Sequence, residues 1–462
     1  MPVKYHANIL TGGEEGPNLN KIITAAVIVI VCAVAVAAAA FVLLDGDKKD
    51  HHIYDESAAV DLIYDLEGGE YGRFYDSMND DMRSVSSPDA IRAVWEEQKE
   101  GLGSFLSIEN VDVKEGEDGT VIDFYCAFEN GGIKISIALD GDRLISGTSF
   151  EDYDQDLFDK ISAGLKEIDV KVNAGGKWEL KGKITTAAGP SNTAAVIVHG
   201  SGPNDMDGTI GQTKLYKDLA WGLAQNNIDV LRYEKRTYAY GLSSAEDIAK
   251  LTVKEETIDD AIAAAELLKS RGYEKVFLIG HSMGGMLAPD IVEESNGLFD
   301  GFISLAGSPR TLSEIQADQV MATAAPEDIA QYTLYVKLEL AKLDQLSSWS
   351  ESKVLSETIF GLPAYYVRDM VSRDAGEIAL SLDVPMLFLQ GSADFQVYAD
   401  KDFKMWQEIL GDKDGADFKL YDGLNHLFMV SQGGQAGTTG EYDLKGHVCL
   451  NVIRDIADFI NG

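Results

Sequence analysis

Residues 275–285 read KVFLIGHSMGG, and no other stretch limits the fold as strongly. Val276, Phe277, Leu278 and Ile279 form an unbroken apolar run, as expected of a parallel strand buried on both faces. A G-x-S-x-G turn, Gly280-His281-Ser282-Met283-Gly284, follows directly and leads through Gly285 into a helix-like segment. So sharp a strand-to-helix turn needs glycine at its flanks, where a side chain would strike packed backbone. It holds a serine hydroxyl clear of the sheet, at a helix start whose free N–H groups can face developing negative charge. Ser282 is therefore the candidate nucleophile.

From 168 onward, strands alternate with helices, which predicts an α/β domain with a mostly parallel sheet covered on both faces. Two alternating strands, 169–172 and 178–185, suit an antiparallel edge. Buried strands are expected at 194–198, 229–233, 276–279, 301–305 and 385–389, and a last one at 418–421. Helices are expected at 214–225, 255–270 and 283–294, with a closing helix at 448–460. Between 308 and 381 the rhythm loosens into a helical insertion rich in Leu, Tyr and Ala.

This order over 168–462 resembles the α/β-hydrolase fold with a helical cap. The resemblance implies a Ser, acid, His order with each residue at the carboxyl end of a strand. Gln390-Gly391-Ser392-Ala393-Asp394 follows one strand, and Gly423-Leu424-Asn425-His426 follows another. Elimination also favours His426. Among the seven histidines, His6, His51 and His52 lie before the soluble units, His199 and His281 sit inside turns, and His447 adjoins the closing helix. A serine hydroxyl is a weak nucleophile at neutral pH, so His426 would take its proton while Asp394 holds the imidazole tautomer. The oxyanion needs two backbone donors. One is the N–H of Met283; the resemblance implies that the other is Ser201, in the His199-to-Asp205 loop HGSGPND.

Each residue also has a structural reading. Ser282 fits an ordinary turn, Asp394 a turn or helix cap, and His426 a half-buried structural role. His199 and Asp205 read as braces of the loop, and Glu234-Lys235-Arg236 as an ion-pair cluster. Tyr332, Tyr335, Trp349, Tyr365 and Tyr366 suit either an acyl pocket or the core of the cap.

HGSGPND at 199–205, YEKR at 233–236, GHSMGG at 280–285, DFQV at 394–397 and LNHLF at 424–428 together resemble bacterial serine hydrolases of the cinnamoyl-esterase and prolyl-oligopeptidase-related group. That resemblance implies ester hydrolysis without metal or cofactor. A peptidase or amidase is the alternative within it, and a non-catalytic surface binding protein the alternative outside enzymes. Thr237 departs from the glycine that many such hydrolases carry after the arginine.

Before this unit, helices are expected at 58–66, 71–82 and 88–101, then strands at 105–113, 120–128, 133–140 and 143–150 separated by Gly-rich hairpin signals. The layout of 55–150 resembles a small α+β, NTF2-like domain of unknown function that precedes hydrolases in some bacterial proteins. It reads as a spacer or homodimerisation module, joined to the hydrolase unit by an acidic connector at 151–167.

Residues 22–44 carry no charge and are apolar but for Thr24 and Cys32, which is long enough to cross a bilayer as one helix after the 1–21 tail. A cleaved signal peptide is the rival reading. A single uncleaved anchor with the soluble units outside the cell is the reading adopted. The formal charge of −37, from 39 basic and 76 acidic side chains, disfavours a nucleic-acid partner, because phosphate binding needs clustered positive charge. Three cysteines, Cys32, Cys126 and Cys449, make neither a disulfide framework nor a metal cluster.

Overall fold

The computed structural model describes residues 53, 56–116, 119–154, 164–173, 175–187 and 189–462. The apolar segment 22–44 lies outside them. No helix among the described residues is long and apolar enough to cross a membrane.

The small domain opens with helices Glu56–Gly68, Tyr71–Asp76, Asp80–Val85 and Pro88–Gln98. The single helix expected over 71–82 is split. Met78 bridges to Ile145, and the Asn79 side chain accepts from the Met82 N–H at 3.0 Å, starting a new helix. An antiparallel meander follows: β1 (Phe105–Gly116), β2 (Gly119–Phe128), β3 (Gly131–Leu139) and β4 (Ile145–Tyr153), in that spatial order. The helices cover one face of this sheet, where Trp95, Phe124, Phe128 and Ile135 are buried.

The hydrolase unit begins at β5 (Lys166–Val172) and β6 (Leu180–Thr186), followed by β7 (Thr193–Val198), β8 (Asp229–Tyr233), β9 (Lys275–His281), β10 (Gly301–Leu305), β11 (Met386–Gly391) and β12 (Ala416–Tyr421). The eight strands lie in the order β12-β11-β10-β9-β7-β8-β6-β5. From β8 to β12 the pairings are parallel, and β5 and β6 form the expected antiparallel edge. Alternate residues of β7 enter different cores, Ala195 and Ile197 one and Ala194, Val196 and Val198 the other. The first core also takes in helices Leu215–Gln225 and Leu450–Asn461, and it is continuous with the core of the small domain. Burial of each large aliphatic side chain here contributes about 2 kcal/mol.

The insertion between β10 and β11 is a helical cap containing Leu312–Ala322, Ile329–Gln345, Glu351–Ser356 and Ala364–Val371. Tyr332, Tyr335, Trp349 and Tyr365 pack on the cap's own core. Tyr366 faces the other way, toward the sheet.

Candidate active site

At the end of β9 the chain turns so sharply that Ser282 adopts φ 54° and ψ −117°, a costly conformation for a residue with a side chain. The glycines around it leave no alternative. A Cβ on Gly280 would stand 2.2 Å from the Gly284 carbonyl oxygen, and one on Gly284 would stand 2.4 Å from that of Val198. The Ser282 N–H is anchored to the Leu305 carbonyl at 2.8 Å, and the helix Met283–Met286 starts immediately. As the first residue of that helix, Met283 has an N–H with no intrahelical acceptor.

The loop after β7 runs against this turn. A Cβ on Gly200 would lie 3.2 Å from the Ser282 Cβ. Gly200 is gripped from both sides: its N–H donates to the Tyr216 hydroxyl at 3.0 Å, and its carbonyl accepts from the Lys235 ammonium at 2.8 Å. The Asn204 side chain donates to the Ser201 and Gly202 carbonyls at 3.1 and 2.9 Å, fixing the next two peptides. His199 and Asp205 brace the same loop, His199 through Nε2 to the Tyr233 carbonyl and Asp205 by accepting the Asp207 and Thr209 N–H groups. Burial and the nearby Lys235 charge lower the His199 pKa to about 3, so it stays neutral.

Asp394 and His426 meet in the loops after β11 and β12. Asp394 Oδ2 lies 2.7 Å from His426 Nδ1 and also accepts from Gln390 Nε2 at 2.8 Å. Asp394 Oδ1 accepts the Gln396 and Val397 N–H groups at 2.8 and 2.9 Å. Four donors thus surround a buried carboxylate. The pairing commits His426 Nδ1 as the donor and leaves Nε2 as the basic nitrogen.

His281 joins the three loops, a role that sequence reading missed. Its Nε2 donates to the His426 carbonyl at 3.0 Å, and its Nδ1 faces the Tyr216 hydroxyl at 3.4 Å. Burial first, then the neighbouring His426, lowers its pKa to about 3, so a neutral ring serves as a fixed strut. The only signal in the sequence was a histidine at the end of an apolar strand.

A second buried group lies beneath the turn. Glu256 accepts from Tyr366 and Thr237 hydroxyls at 2.6 and 2.8 Å and lies 3.7 Å from Lys235 Nζ. The Tyr366 hydroxyl also meets Met283 Sδ at 3.6 Å, so the cap reaches the residue after Ser282. Thr237 occupies its turn by bonding to Glu256. Arg236 pairs with Asp260 at 2.6 Å, in keeping with the ion-pair reading of that stretch.

A family model described as serine aminopeptidase, S33, matches residues 205–432, and one described as a protein of unknown function, DUF3887, matches 59–147. Over 412 residues the chain is 33% identical to esterase EstD of Thermotoga maritima, covering 87% of this chain and 94% of the relative. The chain belongs to the EstD family. It is an α/β-hydrolase-fold serine hydrolase carrying an N-terminal DUF3887 domain. Solved structures similar to this EstD-family chain include an esterase of Pyrococcus furiosus, with 13% identity, TM-score 0.39 and coverage of 66% of this chain and 92% of that one. Another is Est1E of Butyrivibrio proteoclasticus, with 12% identity, TM-score 0.40 and coverage of 63% and 97%. The acylaminoacyl peptidase of Pyrococcus horikoshii overlays at TM-score 0.41 with 13% identity, covering 77% and 50%.

Proposed function

We propose that this EstD-family chain hydrolyses carboxylic esters through Ser282, His426 and Asp394, by way of an acyl-enzyme. The observation that carries the reading is the buried 2.7 Å pair between His426 Nδ1 and Asp394 Oδ2, held beside the strained Ser282 turn. In this mechanism His426 Nε2 removes the Ser282 proton as the serine oxygen attacks the ester carbonyl. The Met283 and Ser201 N–H groups receive the oxyanion. The protonated His426 then delivers its proton to the departing alkoxide. Water, deprotonated by the same nitrogen, releases the acid and restores the serine.

Peptide or amide cleavage is the second reading, favoured by the serine-aminopeptidase match over 205–432. It requires His426 to protonate an amine leaving group and the cap to bind a chain end. Nitrophenyl esters of graded acyl length, run beside a panel of aminoacyl nitroanilides, separate the two. Ester turnover supports the first reading; turnover of nitroanilides alone overturns it in favour of the second.

The uncharged apolar stretch 22–44 supports a single-pass anchor, and the short leader before it with the acidic remainder after it favours soluble domains outside the cell. Proteolysis of the soluble domains on intact cells is the expected result, and full resistance there would contradict that orientation.

A further inference from the structure

The small domain is bonded to the hydrolase unit along its first strand. Its strand β1 is an edge strand, and edge strands carry unpaired backbone groups that must be covered. The pairing of β1 with β2 slips twice, between Phe105 and Ser107 and between Ile108 and Asn110. Bulges of this kind free backbone groups from the ladder, and here the hydrolase unit takes them. Gln432 inserts its side-chain amide against Ile108, accepting the Ile108 N–H at 2.7 Å and donating to the Ile108 carbonyl. The Tyr64 hydroxyl donates to the same Gln432 oxygen at 3.0 Å.

Asn110 makes the reciprocal insertion. It is fully buried, donates to the Val448 carbonyl at 2.9 Å and accepts the Leu450 N–H at 3.3 Å. Between these clamps, Ser107 donates to the Lys445 carbonyl at 3.1 Å and the His447 N–H donates to the Glu109 carbonyl at 2.9 Å. Residues 107–110 are thus bonded one after another to the chain that follows His426.

That chain is also what closes the His426 turn. The Ser431 N–H bonds to the Gly423 carbonyl and the Asn425 N–H to the Met429 carbonyl, each at 2.9 Å, so 423–431 is a tight loop carrying His426. Phe428 sits in it at φ 56°, and its carbonyl accepts the Cys449 N–H at 3.0 Å. The two clamps therefore hold the turn from its C-terminal side, at Gln432 and, through Cys449, at Phe428. Gln432 is the residue after the closing bond, and Cys449 lies between the two residues that Asn110 grips.

We propose that the small domain is part of the catalytic apparatus: its bulged edge strand holds the His426 turn in register, and Asn110 and Gln432 are positioning residues for the ester hydrolysis proposed above, on which this inference rests. A spacer needs no buried, two-bond amide insertion in each direction and no core shared with its neighbour. Misplacing a catalytic group by about 1 Å costs on the order of a hundredfold in rate, which is what loosening this turn does to the His426 imidazole.

The test uses the full chain with Asn110→Ala and Gln432→Ala beside wild type. It measures kcat and KM for nitrophenyl butyrate, amide hydrogen exchange of the 423–432 segment, and thermal unfolding. Expected are a kcat loss of roughly tenfold or more at a KM within about twofold, and faster exchange in the turn, in variants that still unfold cooperatively. Folded variants with wild-type kcat and wild-type exchange overturn the proposal. Should either alanine variant fail to fold, Asn110→Leu and Gln432→Met come close to the native side-chain volume and are read by the same criteria. A wild type without ester turnover refutes the activity instead, and the exchange measurement then decides the clamp by itself.

Discussion

The Lys235 ammonium lies 2.8 Å from the Gly200 carbonyl oxygen, one residue before the expected oxyanion donor Ser201. Lys235 is 1% exposed, and burial lowers its pKa. Its other partner is the buried Glu256. Lys235→Met releases the loop that presents Ser201 and should lower kcat on the order of tenfold to a hundredfold with little change in KM. It also strands the Glu256 charge, at about 3–5 kcal/mol. The double variant Lys235→Met/Glu256→Gln should recover stability in urea unfolding without recovering kcat. Recovery of both would mean that the lysine serves stability alone.

Asp394→Asn should cut kcat roughly 10⁴-fold while leaving the fold intact. The asparagine oxygen stays with the Gln396 and Val397 N–H groups, which leaves its NH₂ facing His426 Nδ1. The imidazole must then carry its proton on Nε2, the nitrogen that has to accept one. Steady-state kinetics of the purified variant check this, and a loss below tenfold would remove Asp394 from the mechanism.

Arg310 joins the start of the cap to the helical segment Ala399–Phe403 that follows β11. It makes two 2.8 Å bonds to the fully buried Asp402 and one to Asp318. Arg310→Leu leaves the Asp402 carboxylate buried without its partner and should destabilise the protein by about 3–5 kcal/mol in urea unfolding. A change below about 1 kcal/mol would show that the Tyr398 N–H and Ser308 hydroxyl suffice for that charge.

Much of this architecture is legible in the sequence because buried parallel strands are apolar throughout. The runs 194–198, 229–233 and 301–305 appear as β7, β8 and β10 within a residue of expectation. Ser282, Asp394 and His426 are candidates because each follows a strand end, although the strand before His426 carries Asp417 and Lys419 and is apolar only in part. His199 and Asp205 are legible as braces of their loop, but the longer-range supports are not. His281 reaches His426, and Gln432 reaches Ile108, across long sequence separations that no local period encodes. Lys235 and Asn110 are polar residues that propensity assigns to surfaces. The split at Asn79 depends on a bridge to Ile145 on a distant strand.

The two buried neutral histidines should make the fold less stable in acid. His199 and His281 have folded pKa values of about 3 against an ordinary 6.5. The unfolded chain therefore binds more protons than the folded one between those values, and stability falls as pH drops below 6.5. Each group contributes up to about 1.4 kcal/mol per pH unit in that window. Glu167, held near 2 against 4.5 despite its burial by the bond and charge of Arg232, adds its own loss below 4.5. Urea unfolding from pH 7 to 4.5 should show the decline, with a shallower slope in His281→Asn. A flat profile across that range would contradict neutral buried histidines.

Ester hydrolysis as proposed here stands or falls with Ser282 as the nucleophile. Its most direct test is labelling of the full chain with a fluorophosphonate probe, followed by mass spectrometry of the modified peptide, with Ser282→Ala alongside. One phosphonylated residue, Ser282, is expected, with neither labelling nor ester turnover in the variant. An unlabelled wild type, or ester turnover that survives Ser282→Ala, would contradict that role.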